Sequence, residues 1–171
     1  MGNFKPGEIG FRMKPEDFGI RKYKFRPDGT LDVFESVFLY NQNLTKLPFK
    51  FGKIDGDFNC SYNKLTSLKG TPEEVDGDFG CSRNNLINLK YSPKIVNGWF
   101  DCSRNNLTNL KNVPEIINGD FYCIGINLTS LKGLNLDGIT GEIYVTNNPD
   151  LKLTEKEQLW VTLNPGRLVL E

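Results

Sequence analysis

Four thiols, a run of carboxylates and a few aromatic rings are the side chains here that could do chemistry. The thiols Cys60, Cys81, Cys102 and Cys123 recur at a fixed step of 21 residues. Metal ligation needs pairs such as C-x-x-C converging on one tetrahedron, and a straight ladder of single thiols does not converge. A disulfide would have to span adjacent rungs, and reducing compartments keep thiols free. Burial as small hydrophobes is the expected role of all four. Carboxylates keep the same step at Asp57, Asp78 and Asp120. Asp57 and Asp78 fall close enough for paired acid–base work of the glycosidase kind, but on an open surface with no evident cleft. The chain contains no histidine, which removes the commonest general base and metal ligand together. Phosphate-binding glycine loops and nucleophile-elbow motifs are missing too. No catalytic residue, metal or cofactor is expected, and the chain reads as non-enzymatic.

The aromatic rings are the sharper signal. They must be placed by the elements around the thiols, and the 21-residue step shows what those elements are. Phe58, Phe79, Phe100 and Phe121 keep the step, as do Leu65, Leu86, Leu107 and Leu128, and Leu68, Leu89, Leu110 and Leu131. So do the glycines at 56, 77, 98 and 119 and the apolar column Ile54, Val75, Val96 and Ile117. Self-similarity at such a period marks a solenoid whose coils bury their apolar sides on one another. Within one coil Val75, Gly77, Phe79 and Cys81 alternate with Asp76, Asp78, Gly80 and Ser82, the period-two pattern of a strand with one buried face. Strands near 37, 58, 79, 100, 121 and 143 predict a parallel sheet of about six coils.

The string Phe79-x-Cys81-x-x-Asn84-x-Leu86-x-x-Leu89 resembles the leucine-rich repeat, with Phe and Cys where that family usually has leucines. It recurs around Asn63 and Asn105. The resemblance implies that Asn63, Asn84 and Asn105 bond to backbone groups inside the bend after each strand. Ile126 replaces the Asn in the next coil, so that bend is expected to be irregular or to use Asn127. Coils of the form Gly-x-Phe-x-Cys-Ser-x-Asn-x-Leu-Thr-x-Leu after a short hairpin are similar to small leucine-rich repeat proteins of tailed bacteriophages, over roughly residues 20–150. That resemblance implies an infected bacterial cytoplasm as the setting, not an activity.

The ends read as caps. Residues 1–19 hold Pro6, Pro15 and little periodicity and are expected to form an irregular leader. Residues 20–35 read as a hairpin, with Pro27, Asp28 and Gly29 forming the turn between two alternating runs. The solenoid proper spans 36–153, and 154–171 form a C-terminal cap. There Thr154 and Glu157 make a capping box, and a helix from about Glu155 to Thr162 is expected to lay Leu159, Trp160 and Leu163 over the last coil. Residues 167–170 add a final strand. No secretion signal opens the chain and no apolar run approaches a membrane span, so a cytoplasmic protein without a membrane partner is expected. The Asn-x-Thr triplets at 43, 106 and 127 then read as by-products of the repeat.

Function is expected on the outward strand face. One column there reads Ser36, Asp57, Asp78, Trp99, Asp120, Glu142, and the next Phe38, Asn59, Gly80, Asp101, Tyr122, Tyr144. Aromatics rimmed by carboxylates are the usual anchors of a protein partner. Trp99, Tyr122, Tyr144, Asp101, Asp78 and Arg104 are therefore the candidate partner-binding residues. A lysine column, Lys69, Lys90, Lys111 and Lys132, reads as a solvated edge. With formal net charge zero and aromatics among aspartates, nucleic acid is not the expected ligand. The leading expectation is a protein-binding module that occupies a bacterial host protein. The alternatives are a structural, self-assembling or virion-associated component and, third, a glycan or small-molecule binder.

Overall fold

The computed structural model describes residues 13–171; of the expected leader at 1–19, residues 1–12 lie outside the described residues. The chain winds as a β-solenoid of about seven turns built from two sheets that are almost wholly parallel. The hairpin comes first: β1 (Tyr23–Phe25) pairs antiparallel with β2 (Leu31–Val33) across the Arg26–Thr30 turn. Before it, Pro15–Phe18 form a short 3-10 turn, with Phe18 edge-on to Phe49 at 5.7 Å.

Each 21-residue coil then contributes two short strands rather than the one continuous strand the alternation predicts. The first sheet continues from β2 through β4 (Phe51–Ile54), β6 (Glu74–Val75), β8 (Ile95–Val96) and β10 (Ile116–Ile117). The second runs through β3 (Val37–Phe38), β5 (Phe58–Asn59), β7 (Phe79–Gly80), β9 (Phe100–Asp101), β11 (Phe121–Tyr122) and β12 (Ile143–Tyr144). A seventh strand, β13 (Leu168–Val169), joins it beside β12, one beyond the six coils read from the periodicity. The break falls at the Asp-Gly or Asn-Gly pair between the two strands, at Gly56, Gly77, Gly98 and Gly119. A Cβ at Gly98 would collide with the Asp78 carboxylate and the Gly77 backbone. Glycine there lets successive coils approach closely enough to bend.

Register locks the inward rows. Phe58 pairs with Phe79, and Phe79 with Phe100. Their rings stack, with centroids 5.6, 5.3 and 6.1 Å apart from Phe58 through Phe121. The four phenylalanines and four cysteines are fully buried, and all the thiols are free. Burial pushes the Cys60 thiol up to about 12, and the Cys81 and Cys102 thiols rise for the same reason.

The asparagines tie the coils together as the resemblance implies. Asn84 Nδ2 donates to the carbonyls of Cys60, Cys81 and Ser82, while its Oδ1 accepts from the Leu65 amide. Asn63 and Asn105 repeat this arrangement. Where Ile126 breaks the row, Asn127 does not replace it: Asn127 is exposed in the left-handed region at φ 58°, and Ile126 is buried. The row resumes with Asn148, which takes the amides of Ile126 and Leu128 after a one-residue slip in the step.

At the C-terminus, α1 (Glu155–Leu163) starts on the expected capping box, the Thr154 amide donating to Glu157 Oε2 at 2.7 Å. Its orientation differs from the expectation. Leu159 and Leu163 point to solvent, 59% and 72% exposed, and only Trp160 packs on the core. Residues four apart share a helix face and residue 160 lies about 100° round from 159, so docking one face turns the other away. Trp160 decides the outcome because its Nε1 donates to Asp137 Oδ1 at 2.8 Å, with the Arg167 guanidinium over its ring. No helix among the described residues is long and apolar enough to cross a membrane.

Candidate functional site

The outward face of the second sheet carries the candidate residues, and it divides into an acidic row and an aromatic run. The acidic row is also structural. Asp57 Oδ1 accepts the Asp78 amide at 2.9 Å, Asp78 Oδ1 the Trp99 amide at 2.9 Å, and Asp120 Oδ1 the Glu142 amide at 2.8 Å. Ser36 Oγ begins the row by accepting from the Asp57 amide. Each carboxylate thus holds the next coil at the bend, a role the sequence reading passed over in favour of simple solvation. Asp directly after the glycine of each coil, at 57, 78 and 120, is the signal that could have found it. Trp99 stands in this row without an acceptor to offer the Asp120 amide. Its presence is not explained by the backbone ladder.

Partial burial and the neighbouring Asp57 charge push the Asp78 carboxyl above its usual 3.8, the Trp99 amide bond opposing them. Asp101 accepts the Ser103 amide at 2.9 Å and pairs in register with Gly80 and Tyr122 on the adjacent coils.

The aromatics meet across successive coils. Trp99 and Tyr122 lie edge to face with centroids 6.4 Å apart, and Tyr122 stacks on Tyr144 at 4.8 Å and 9°. Two carboxylates outside the candidate set steer these rings. Tyr122 Oη donates to Asp120 Oδ2 at 2.9 Å, and Tyr144 Oη to Glu142 Oε2 at 2.5 Å. Their Asp-x-Tyr and Glu-x-Tyr spacing, two residues apart on one strand face, was the available clue. Burial, with the Asp120 bond second, pushes the Tyr122 hydroxyl up to about 12. Bonded hydroxyls and mutual stacking fix the rings in place. All three aromatics are half-buried.

Arg104 stands apart. It lies on the bend beyond β9 in the left-handed region at φ 52°, exposed. Tyr62 and Arg83 hold the same station at φ 57° and 51°, with the Arg83 guanidinium 4.9 Å over the Tyr62 ring. The structure therefore gathers Asp78, Trp99, Asp101, Tyr122 and Tyr144 on one face and puts Arg104 at its rim.

The lysine column Lys69, Lys90, Lys111 and Lys132 is exposed. Its first member, Lys69, also lines an open groove of about 1020 Å³ together with Arg26, Lys46, Lys50, Lys53 and Lys94 among others. Arg26 already pairs with Asp32, Lys50 with Asp28, and Lys53 with Asp55 and Asp76. Glu73 and Glu74 line the same groove, so it offers little surplus charge to a ligand.

No family model, curated protein or solved structure matches the chain.

Proposed function

We propose that the protein is a non-enzymatic protein-binding module that engages its partner through the outward face of the second sheet. Trp99 carries this reading. It interrupts a row whose other acids hold successive coils together, and it continues into two tyrosines already fixed by hydrogen bonds. A large ring that adds nothing to the coil ladder, rimmed by carboxylates, has the make-up of an interface anchor. The likeness of the repeats to leucine-rich repeat proteins of tailed bacteriophages favours a bacterial host protein as the partner and the host cytoplasm as the place. Affinity capture from bacterial lysate tests the proposal. A protein retained by the wild type should be lost with Trp99→Ala plus Tyr122→Ala. Undiminished capture by the double variant would overturn the assignment of this face.

A further inference from the structure

The charge of this face narrows the partner's chemistry. Asp57, Asp78, Asp101, Asp120 and Glu142 lie on five adjoining coils of one sheet. Every ion pair among the described residues involves Asp28, Asp32, Asp55 or Asp76, and none reaches these five. Their hydrogen bonds come instead from neutral donors: the amides of Asp78, Trp99, Ser103 and Glu142 and the hydroxyls of Tyr122 and Tyr144. The hydroxyl bonds bring carboxylate charge to the edges of the tyrosine rings, which makes the ring faces better seats for a cation. Arg83, the nearest cation in sequence to Asp78 and Gly80, is drawn onto Tyr62. The face is thus strongly negative and aromatic although the whole chain is neutral, and Arg104 at its rim forms no ion pair with these five carboxylates.

We infer that the partner segment seated here bears arginine. Planar guanidinium groups stack on Trp99 and on the outer faces of the Tyr122–Tyr144 pair while Asp78, Asp101 and Glu142 accept their N–H bonds. Arginine fits better than lysine because stacking and forked hydrogen bonding are available to it at once. This inference rests on the assignment of the face as the docking surface.

The test uses fluorescein-labelled peptides of alternating glycine and arginine, and of alternating glycine and glutamate, read by anisotropy against the full chain at moderate salt. The arginine peptide should bind and the glutamate peptide should not. Asp78→Asn plus Asp101→Asn should weaken binding about tenfold, and Trp99→Ala plus Tyr122→Ala by a similar factor. Glu73→Gln plus Glu74→Gln, which removes the same charge from the groove beside the first sheet, should change it less than about twofold. Equal weakening by that control pair, equal binding of both peptides, or no binding of the arginine peptide would overturn the inference. If a captured lysate protein is lost with the aromatic double variant but kept by Asp78→Asn plus Asp101→Asn, the docking face stands and the arginine assignment falls.

Discussion

Asp78 shows how one residue serves fold and face together. Its Oδ1 holds the Trp99 amide, while burial and Asp57 make its charge unfavourable in the folded chain. A carboxyl raised in the folded state is stabilising when protonated, so its cost is absent at pH below 3.8 and grows as pH rises through the raised value. Asp78→Asn keeps an acceptor for the amide and removes the charge. Thermal melts at pH 7 should find it as stable as the wild type or slightly more so, by no more than a few tenths of a kcal/mol because the group is partly solvated. The difference should close as pH falls toward 3.8. Asp78→Ala strips the acceptor as well and should cost about 1 kcal/mol. A larger loss in the Asn variant than in the Ala variant would contradict this reading.

Among the elements, the asparagine ladder and the two-strand coil set the limits of stability and of what the sequence revealed. Asn84 is buried and satisfies backbone groups of two coils at once. Asn84→Ala leaves those groups unpaired and should lower unfolding stability by about 3 kcal/mol in urea titrations, whereas Asn127→Ala, at an exposed site, should change it by less than about 0.5 kcal/mol. Equal effects would contradict the role given to the buried row. The solenoid, its inward rows and the capping box were legible because each repeats a local chemical pattern: Phe79 and Cys81, Asn84, Thr154 and Glu157. The bend at Gly77 was not, since Val75 and Phe79 stay inward on either side of it and the alternation runs on unbroken. The face that α1 buries was illegible for another reason: Trp160 docks through Asp137, a partner 23 residues away, and helical spacing cannot reveal it. On the proposed docking face the rings could be placed from their columns, while the Asp120 and Glu142 bonds that orient them depend on side-chain rotamers.

For the molecule as a whole, neutrality conceals an uneven distribution of charge. Among the described residues the ion pairs gather around the N-terminal hairpin and the first coils, and none involves a carboxylate on the outward face of the second sheet. A solenoid makes this possible because one substitution per coil writes a continuous column on one face while the buried rows stay fixed. We propose that a partner covers the surface formed by Trp99, Tyr122 and Tyr144. Hydroxyl-radical footprinting of the chain, alone and with its captured partner, reads this directly. Oxidation of Trp99, Tyr122 and Tyr144 should fall on complex formation, while that of Tyr91 and Trp160, off this face, should not change. Protection of Tyr91 or Trp160 with Trp99 still fully reactive would contradict it.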